Sequence, residues 1–270
     1  MRYSPRDWRL LTLIVIGFTL TAIVLMAFLD WLGMALAMGL LLSLIVFVQF
    51  SLFRRLYDRM EEDYRQTEAL FSLFALLDLQ APFPALRRWS IAPDFGNVLL
   101  MLIREQRPKL IVELGTGSST LISAYTLKAL GEGRVVSVEH QAAFADLSRQ
   151  QLERHKLSDW SEVIHAPLES LSVNTESWDW YQVAAFADLG PIDLLVVDGP
   201  PQFGNSRRQA RYPALPVLID QLAPDGTILV DDANRADEGQ MVERWLREFP
   251  DFAVQRLDTE KGTIILRRKL

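Results

Sequence analysis

The sequence contains no cysteine, only three histidines and no excess of positive charge. The absence of cysteine excludes disulfide bonds, thiolate metal sites and cysteine nucleophiles. The formal net charge of −6, without a basic stripe, argues against a nucleic-acid partner. What the chain does contain is a strongly apolar N-terminal region, followed by a region rich in strand-end glycines and carboxylates.

Two long stretches near the N-terminus carry no charge. They are Leu10–Leu29 and Trp31–Phe53, and only Asp30 separates them. Each is long enough for an α-helix to cross a hydrocarbon core of about 30 Å, which takes about 20 residues. The pattern therefore predicts a transmembrane helical hairpin within residues 1–55. A buried helical pair in a soluble protein is the alternative, and a signal peptide is a poorer one because its apolar region is shorter.

Arginines flank the predicted hairpin on one side only. Three precede it and three follow it, at Arg2, Arg6, Arg9, Arg54, Arg55 and Arg59. The positive-inside rule then predicts that both termini lie in the cytoplasm. We expect a multi-pass protein of the inner (cytoplasmic) membrane, with the lipid bilayer as a partner and the rest of the chain in the cytoplasm.

A connector helix is predicted for residues 56–81, since apolar residues recur there at three- and four-residue steps. The seam consists of Leu56, Met60, Tyr64, Thr67, Phe71 and Phe74. It is shorter than a coiled coil requires, so a homodimer stays open as an alternative. The prolines of Ala81-Pro82-Phe83-Pro84 end the helix, because the residue before a proline disfavours the helical conformation.

Residues 82–270 read as a separate α/β domain. After a helix at Phe95–Glu105, strands are predicted at Leu110–Glu113, Val135–Glu139, Glu162–His165, Ile192–Asp198 and Gly226–Asp231. Helices are predicted between and after them at Ser119–Leu130, Gln141–His155, around Trp178–Phe186, Arg211–Leu222 and Glu238–Phe249. Such alternation predicts a Rossmann-like parallel sheet covered on both faces. The chain then ends with two strands, Phe252–Leu257 and Thr263–Arg268, spaced for an antiparallel hairpin.

The most informative segment of this domain reads IVELGTGSST. A buried strand ends at Glu113 and opens into a turn in which Gly115 and Gly117 let the backbone approach a ligand closely. The next predicted strand reads RVVSVEH and ends on Glu139, whose carboxylate can accept hydrogen bonds from both hydroxyls of a ribose. Together they predict a site for an adenine nucleoside.

The identity of the nucleoside depends on two residues. A dinucleotide fingerprint, G-x-G-x-x-G, would need a third glycine where Thr120 stands. Glu113 would repel a pyrophosphate, but it suits the cationic amino-acid end of S-adenosylmethionine (SAM). The E-x-G-x-G string resembles the first motif of class I SAM-dependent methyltransferases, and Glu139 matches their second-strand acid. A nucleotide-dependent oxidoreductase is the second interpretation, disfavoured by both residues and by the terminal hairpin.

This resemblance implies SAM as the cofactor and a set of residues around it. The implied cofactor-binding residues are Glu113, Gly115, Thr116, Gly117, Ser118, Ser119, Glu139, His140, Ala166 and Asp198.

Three acids follow the fourth and fifth predicted strands. Asp198 comes after LLVV, and Asp231 and Asp232 come after TILV. Ligands bind beyond the carboxyl ends of such strands, where converging carboxylates repel each other unless a cation or protons lie between them. Oxygen ligands suit Mg²⁺, so a magnesium site is one interpretation. In the other, of equal weight, Asp198 alone holds the cofactor, Asp232 caps a helix and Asp231 is solvated.

The acids extend the resemblance to metal-dependent O-methyltransferases, and the region from about Pro82 onward is similar to a bacterial group related to catechol O-methyltransferase. That group is associated with polysaccharide and secondary-metabolite clusters. Here Ala233 stands in place of the family's asparagine, and Pro201 replaces the His or Lys base, so no base is carried over beyond a catalytic role for Asp198.

The resemblance implies O-methylation of a small-molecule, sugar or lipid-linked glycan acceptor, with Arg211 and Arg235 as candidates to bind an anionic acceptor. A non-catalytic SAM-fold scaffold at the membrane is a third interpretation, which the missing base at Pro201 keeps open.

Overall fold

The computed structural model describes residues 5–202 and 208–269, and leaves out the side chains of residues 5–11, 25–26 and 28–30. Arg2 and the side chains of Arg6, Arg9 and Asp30 therefore lie outside the described part. The chain divides into two compact units, Met1–Asp63 and Tyr64–Leu270.

The first unit consists of an α-helix. Helix α1 spans Pro5–Leu76 and is continuous through position 30, so the predicted helical hairpin is not confirmed. The physical reason lies in the sequence, because Leu29 and Trp31 flank Asp30 and no proline or glycine breaks the helix there. The segment Trp31–Leu76 is apolar and long enough to cross a membrane by length and composition, with a mean hydropathy of 2.4 in its most apolar window. The coarser prediction, a long apolar N-terminal helix, is thus confirmed.

In the second unit, the last turns of α1 pack against helix α2, Pro93–Gln106. The packing stripe is not the predicted apolar seam, since Tyr64 and Phe71 are exposed while Leu73 and Leu77 are buried. A polar contact fixes the register, because the Asn97 side-chain amide donates to the carbonyl oxygen of Ala69 at 2.8 Å. The apolar periodicity predicted the helix correctly but did not identify its buried face.

The α/β fold follows the predicted alternation closely. Its helices and strands, in chain order, are β1 Leu110–Leu114, α3 Ser118–Leu130, β2 Arg134–Glu139, α4 Ala142–Arg154, β3 Ser161–His165, β4 Leu168–Val173, β5 Glu176–Tyr181, β6 Ile192–Val197, α5 Ala214–Leu218, β7 Leu222–Val230, α6 Ala236–Glu248, β8 Phe252–Leu257 and β9 Thr263–Arg268. A seven-stranded sheet has the order β3-β2-β1-β6-β7-β9-β8. The pairings from β3 to β7 are parallel, and β9 pairs antiparallel with both β7 and β8. The Rossmann-like sheet and its terminal antiparallel hairpin are confirmed.

Two predicted helices differ in the structure. The segment around Trp178 is strand β5, paired with β4 in a separate antiparallel hairpin, and a short 3-10 helix, Val183–Phe186, follows it. The burial of Trp178 and Trp180 alternates with exposed neighbours, which is the period of a strand. The helix predicted at Arg211–Leu222 shortens to α5, because Pro213 and Pro216 remove backbone donors from its first turns.

Both faces of the parallel sheet are covered. All five residues of β1 are buried, and alternate residues join different hydrophobic clusters. Val112 packs with Met241 and Trp245 of α6, whereas Ile111 packs with residues of α2, α3 and α4. A strand buried on both faces can leave only its carboxyl end open to a ligand, so a binding site is expected at that edge of the sheet.

Candidate functional site

A cavity of about 470 Å³ lies at the carboxyl edge of the sheet, within the size range of small-molecule sites. It brings together residues from the ends of β1, β2, β6 and β7. Its lining includes Gly115, Thr116, Glu139, His140, Tyr181, Asp198, Pro201, Arg211, Asp232 and Arg235. The residues predicted from separate motifs thus meet in one place.

The glycine-rich turn forms the floor beside β1. Gly115 has a φ of 103°, a conformation that glycine adopts without strain, and its N–H donates to the carbonyl oxygen of Val138 at 2.9 Å. Ser118 and Ser119 begin α3 and line an adjoining cavity of about 250 Å³, which shares Thr116 and Asp198 with the larger one. The turn therefore presents backbone and hydroxyl groups toward both cavities.

Glu113 lies beneath this turn and is 1% exposed. Its Oε2 accepts a hydrogen bond from the Thr120 hydroxyl at 2.6 Å, and the same hydroxyl oxygen accepts the N–H of Gly117 at 3.1 Å. Burial raises the pKa of Glu113 to about 8, although the hydroxyls of Ser119 and Thr120 oppose this shift. Glu113 therefore braces the turn from below, and Thr120, which replaces the third glycine of a dinucleotide fingerprint, is its partner.

Glu139 ends β2 at the other side of the cavity. Its Oε1 accepts the N–H of Gln141 at 2.8 Å, and His140 Nδ1 lies 2.9 Å from the same oxygen. Ala166 is buried and its N–H donates to the carbonyl oxygen of Glu139 at 2.8 Å. One backbone N–H and a neighbouring imidazole thus hold the carboxylate at the cavity wall, and the bond from Ala166 fixes the main chain of Glu139. His165, by contrast, is exposed.

The three strand-end acids converge as the sequence predicted. Asp198, Asp231 and Asp232 each offer a carboxylate oxygen within 4.8 Å of the others. The alternative interpretation, in which Asp231 is solvated and Asp232 caps a helix, is wrong on both points. Asp231 is fully buried, and the N-cap residue of α6 is Arg235, with no side-chain cap. Burial, with the neighbouring carboxylates, raises the pKa of Asp231 to about 8. Burial likewise raises the pKa of Asp198 to about 6, against the opposing effect of Arg211.

Arg211 lies inside this acidic cluster. Its Nη2 donates to Asp232 Oδ2 at 2.8 Å and to Asp198 Oδ1 at 3.4 Å, and its Nη1 donates to the main-chain oxygen of Asp231 at 3.1 Å. The side chain is 4% exposed. Burial lowers its pKa, but the carboxylates of Asp198 and Asp232 outweigh this effect and the pKa is raised overall. The arginine predicted to bind an acceptor thus neutralises the acids.

The predicted magnesium site competes with this arrangement. Mg²⁺ requires oxygen ligands at about 2.0–2.1 Å in near-octahedral geometry. The guanidinium of Arg211 stands within hydrogen-bond distance of both Asp198 and Asp232, the two acids that a bridging ion would contact. As arranged, an ion that bridged Asp198 Oδ1 and Asp232 Oδ2 would have to displace the guanidinium.

Other residues reach the cavity without any signal in the motifs. Lys261, in the β8–β9 turn, places Nζ 3.8 Å from Asp232 Oδ1 and donates to the carbonyl oxygen of Ser90 at 2.8 Å. Arg235, which the sequence did predict as a candidate to bind the acceptor, is half-exposed at the mouth, with Nη1 2.8 Å from Asp232 Oδ2. Arg88 and Trp89, from the segment before α2, also line the mouth, and Trp89 is 89% exposed.

Comparisons with known proteins agree with this geometry. Residues 112–233 match a family model described as a methyltransferase domain. None of the curated proteins compared with the chain matches it.

Solved structures share the fold. A putative O-methyltransferase from Klebsiella pneumoniae is 18% identical, with a TM-score of 0.52, over 76% of this chain and 90% of that one. An O-methyltransferase from Bacillus cereus in complex with S-adenosylhomocysteine is 22% identical, with a TM-score of 0.51 and the same coverage. The O-methyltransferase TomG from Streptomyces achromogenes, solved with SAM, is 17% identical, with a TM-score of 0.51, over 78% of this chain and 96% of that one.

The sheet order, the glycine-rich turn and the family match together define a methyltransferase domain. Residues 112–233 are a methyltransferase domain, and the fold is that of SAM-dependent O-methyltransferases, as the motifs predicted. This match disfavours the oxidoreductase interpretation.

Proposed function

We propose that the protein transfers a methyl group from SAM to a hydroxyl oxygen of a small-molecule or glycan acceptor, and that its apolar helix associates it with a membrane. One observation carries the proposal: a single cavity brings together the glycine turn, Glu139 and a partly exposed carboxylate, Asp198. The glycine turn and Glu139 suit a cationic nucleoside, and Asp198 suits an acceptor hydroxyl that must lose its proton.

The cofactor end of the cavity supports SAM residue by residue. The Glu139 carboxylate is positioned to accept the ribose hydroxyls, and Gly115–Gly117 to lie beside the methionine end. His140 stacks edge-on against Tyr181, with ring centroids 6.3 Å apart, and the two rings suit an adenine wall. Bound SAM supplies an electrophilic methyl group on a sulfonium.

The acceptor end supports oxygen chemistry. Of the three acids, Asp198 has the most exposed side chain, at 23% against 4% for Asp232. Its pKa of about 6 leaves it mostly ionised at neutral pH, so it can take the hydroxyl proton as the oxygen attacks. Pro201 lines the same cavity and supplies no base. Alignment of methyl donor and acceptor oxygen in one site accounts for most of the rate.

The acceptor's chemical class follows from the mouth of the cavity. Arg88, Arg235 and Lys261 provide positive charge there, and Trp89 and Phe144 provide exposed aromatic surface. Such a rim suits a ring-shaped acceptor that carries an anionic group, as sugars of acidic or lipid-linked glycans do. Arg235 keeps its predicted role in acceptor binding, while Arg211 contributes through the acids that it holds.

Membrane association rests on the long apolar helix. Laid end to end in one straight helix, its two uncharged stretches would extend roughly 65 Å, about twice the thickness of a hydrocarbon core. Because α1 is continuous through position 30, two spans in one bilayer would require this helix to reverse near Asp30 in the membrane. We propose this two-span arrangement, with residues 56–81 as the connector and residues 82–270 as the catalytic domain. The exposed seam of the connector keeps a homodimer as the second proposal for assembly.

SAM binding tests the proposal most directly. Replacing Glu139 with alanine removes charge-assisted hydrogen bonds worth about 1.5–3 kcal/mol each. We expect the affinity for SAM, measured by isothermal titration calorimetry on the full chain in detergent micelles, to fall about tenfold or more. Glu153→Ala, an exposed glutamate of α4, is the matched control and should leave the affinity unchanged. Equal affinities in the two variants would contradict the assignment of Glu139.

Catalysis needs its own experiment, since a scaffold could also bind SAM. Membranes from a strain that lacks the gene should accept a radioactive methyl group from labelled SAM when the purified protein is added. Asp198→Asn should bind SAM and transfer no methyl group. Transfer that persists in Asp198→Asn would remove Asp198 as the base, and a lack of transfer by the unaltered protein would favour the scaffold.

A further inference from the structure

We propose that the guanidinium of Arg211 takes the place of a divalent cation in this site, so that the acceptor end is held by a metal-independent charge network. The catalytic part of this proposal rests on the proposed methyl transfer, whereas the metal-binding part does not. The site carries the acids of a metal centre and a built-in cation among them.

Arg211 occupies the position that a bridging metal would need. Its Nη2 reaches Asp232 Oδ2 at 2.8 Å and Asp198 Oδ1 at 3.4 Å, so one terminal nitrogen connects the ends of two strands. A metal that bridged Asp232 Oδ2 and Asp198 Oδ1 would have to occupy the space in which Nη2 lies. The guanidinium and an ion bridging these two oxygens are therefore mutually exclusive.

The Arg211 side chain is also held firmly. Besides the two carboxylates, its Nη1 donates to the main-chain oxygen of Asp231 at 3.1 Å, and its Nε lies 3.8 Å from Glu238 Oε1. The side chain is 4% exposed. A bound ion would have to expel a buried arginine from four oxygen neighbours, which makes displacement costly.

Two of the three acids already have cationic partners. Among the described residues, Arg211, Arg235 and Lys261 contact Asp232, and Arg211 also contacts Asp198. The repulsion between the Asp198 and Asp232 carboxylates is therefore offset without an ion.

For function, this arrangement gives Asp198 and Arg211 different roles. Asp198 and Arg211 both line the cavity, and Arg211 Nη2 orients the Asp198 carboxylate through its contact with Oδ1. Arg211 is thus a positioning residue. A metal ion would contact the acceptor oxygen itself, whereas a guanidinium leaves that oxygen to Asp198.

Metal titration tests the proposal without any knowledge of the acceptor. The full chain, purified in detergent with EDTA and then desalted, is titrated with Mn²⁺, and free Mn²⁺ is followed by electron paramagnetic resonance. We expect the unaltered protein to bind no Mn²⁺ at the site. Arg211→Met, which keeps the length of the side chain and removes its charge, should bind one equivalent, because three acids are then uncovered.

Two controls locate the effect. Arg235→Met removes the other arginine on the same Asp232 oxygen and should bind no Mn²⁺, as in the unaltered protein. Adding Asp232→Asn to Arg211→Met should abolish the acquired binding. Methyl transfer to membranes by the unaltered protein should be undiminished in excess EDTA.

The outcomes separate the two proposals. One equivalent of Mn²⁺ bound by the unaltered protein and lost in Asp232→Asn would overturn the role of Arg211, even if Arg211→Met failed to fold. A folded Arg211→Met that acquires no metal would overturn it as well. Failure of the unaltered protein to bind SAM in a parallel titration would instead refute the proposed function and leave the metal result standing.

Discussion

Two arginines contact the same carboxylate oxygen at the same distance, and they provide a matched test of how burial changes the strength of an ion pair. Arg211 Nη2 and Arg235 Nη1 both lie 2.8 Å from Asp232 Oδ2. The Arg211 side chain is 4% exposed and that of Arg235 is 56% exposed. Replacing each with methionine removes the contact with Asp232 Oδ2 in two different environments. Arg211→Met also removes the buried contacts with Asp198 and with the main-chain oxygen of Asp231.

Their expected effects differ by several kcal/mol. Removing one partner of a buried pair costs about 3–5 kcal/mol, because it leaves a buried charge without compensation. An exposed pair contributes about 0–1 kcal/mol, since solvent screens it. For a unit of the size of Tyr64–Leu270, 1 kcal/mol shifts Tm by about 2–4 °C. We expect Arg211→Met to lower Tm by roughly 6–20 °C and Arg235→Met by less than about 4 °C.

The assay is thermal unfolding of the full chain in detergent micelles at pH 7, followed by near-ultraviolet circular dichroism. Mn²⁺ should restore part of the lost Tm in Arg211→Met alone, since a ligand that binds only the folded state stabilises it by mass action. Equal Tm shifts in the two variants would refute the reasoning, because burial would then not decide the strength of the pair.

Two further predictions concern the buried acid below the glycine turn and the membrane segment. Burial raises the pKa of Glu113 from 4.5 to about 8, so its contribution to stability is present below pH 4.5 and is lost as pH rises toward 8. Glu113→Gln should therefore raise Tm relative to the unaltered protein at pH 8.5 and change it much less at pH 5, and a pH-independent difference would count against this account. A fluorescent protein fused after residue 270 should be bright and a fused alkaline phosphatase inactive, as expected for a cytoplasmic C-terminus; the reverse pattern would overturn the predicted orientation.

The cofactor half of the site can be predicted from sequence because its determinants are local. Glycines at 115 and 117 closely follow a continuous apolar run, and Glu139 ends the next such run. Parallel strands bring their carboxyl ends to one edge, so the position of each residue within its strand also determines its position in space. The same reasoning correctly predicts that Asp198, Asp231 and Asp232 lie together.

The hairpin β4–β5 and the partner of the acids cannot be predicted in the same way. The segment at Trp178 has mixed apolar and polar residues with no helical period, and only its pairing with Leu168–Val173 defines it as a strand. Arg211 lies in a stretch whose prolines favour neither helix nor strand. The role of its side chain is evident only from its contacts with the three strand-end acids. The sequence predicts that the charges of the clustered acids must be neutralised, but only the tertiary structure shows that Arg211 neutralises them.

The segments that define the acceptor side lie outside the part of the chain that matches the family. The match covers residues 112–233, which includes the glycine turn and all three acids. Trp89 and Lys261 lie outside it, yet both line the cavity.

These outlying segments are braced against each other. Glu260 pairs with Arg87 through Nη2 at 2.6 Å, and the N–H of Glu260 donates to Asp94 Oδ2 at 2.7 Å. The same Asp94 oxygen accepts a hydrogen bond from the Gln66 side chain of α1, also at 2.7 Å. The last turns of α1, the segment before α2 and the β8–β9 turn thus share one network, which holds Trp89 and Lys261 at the cavity. The family match therefore contains the glycine turn and the acids, whereas part of the mouth of the cavity is built by segments on either side of it.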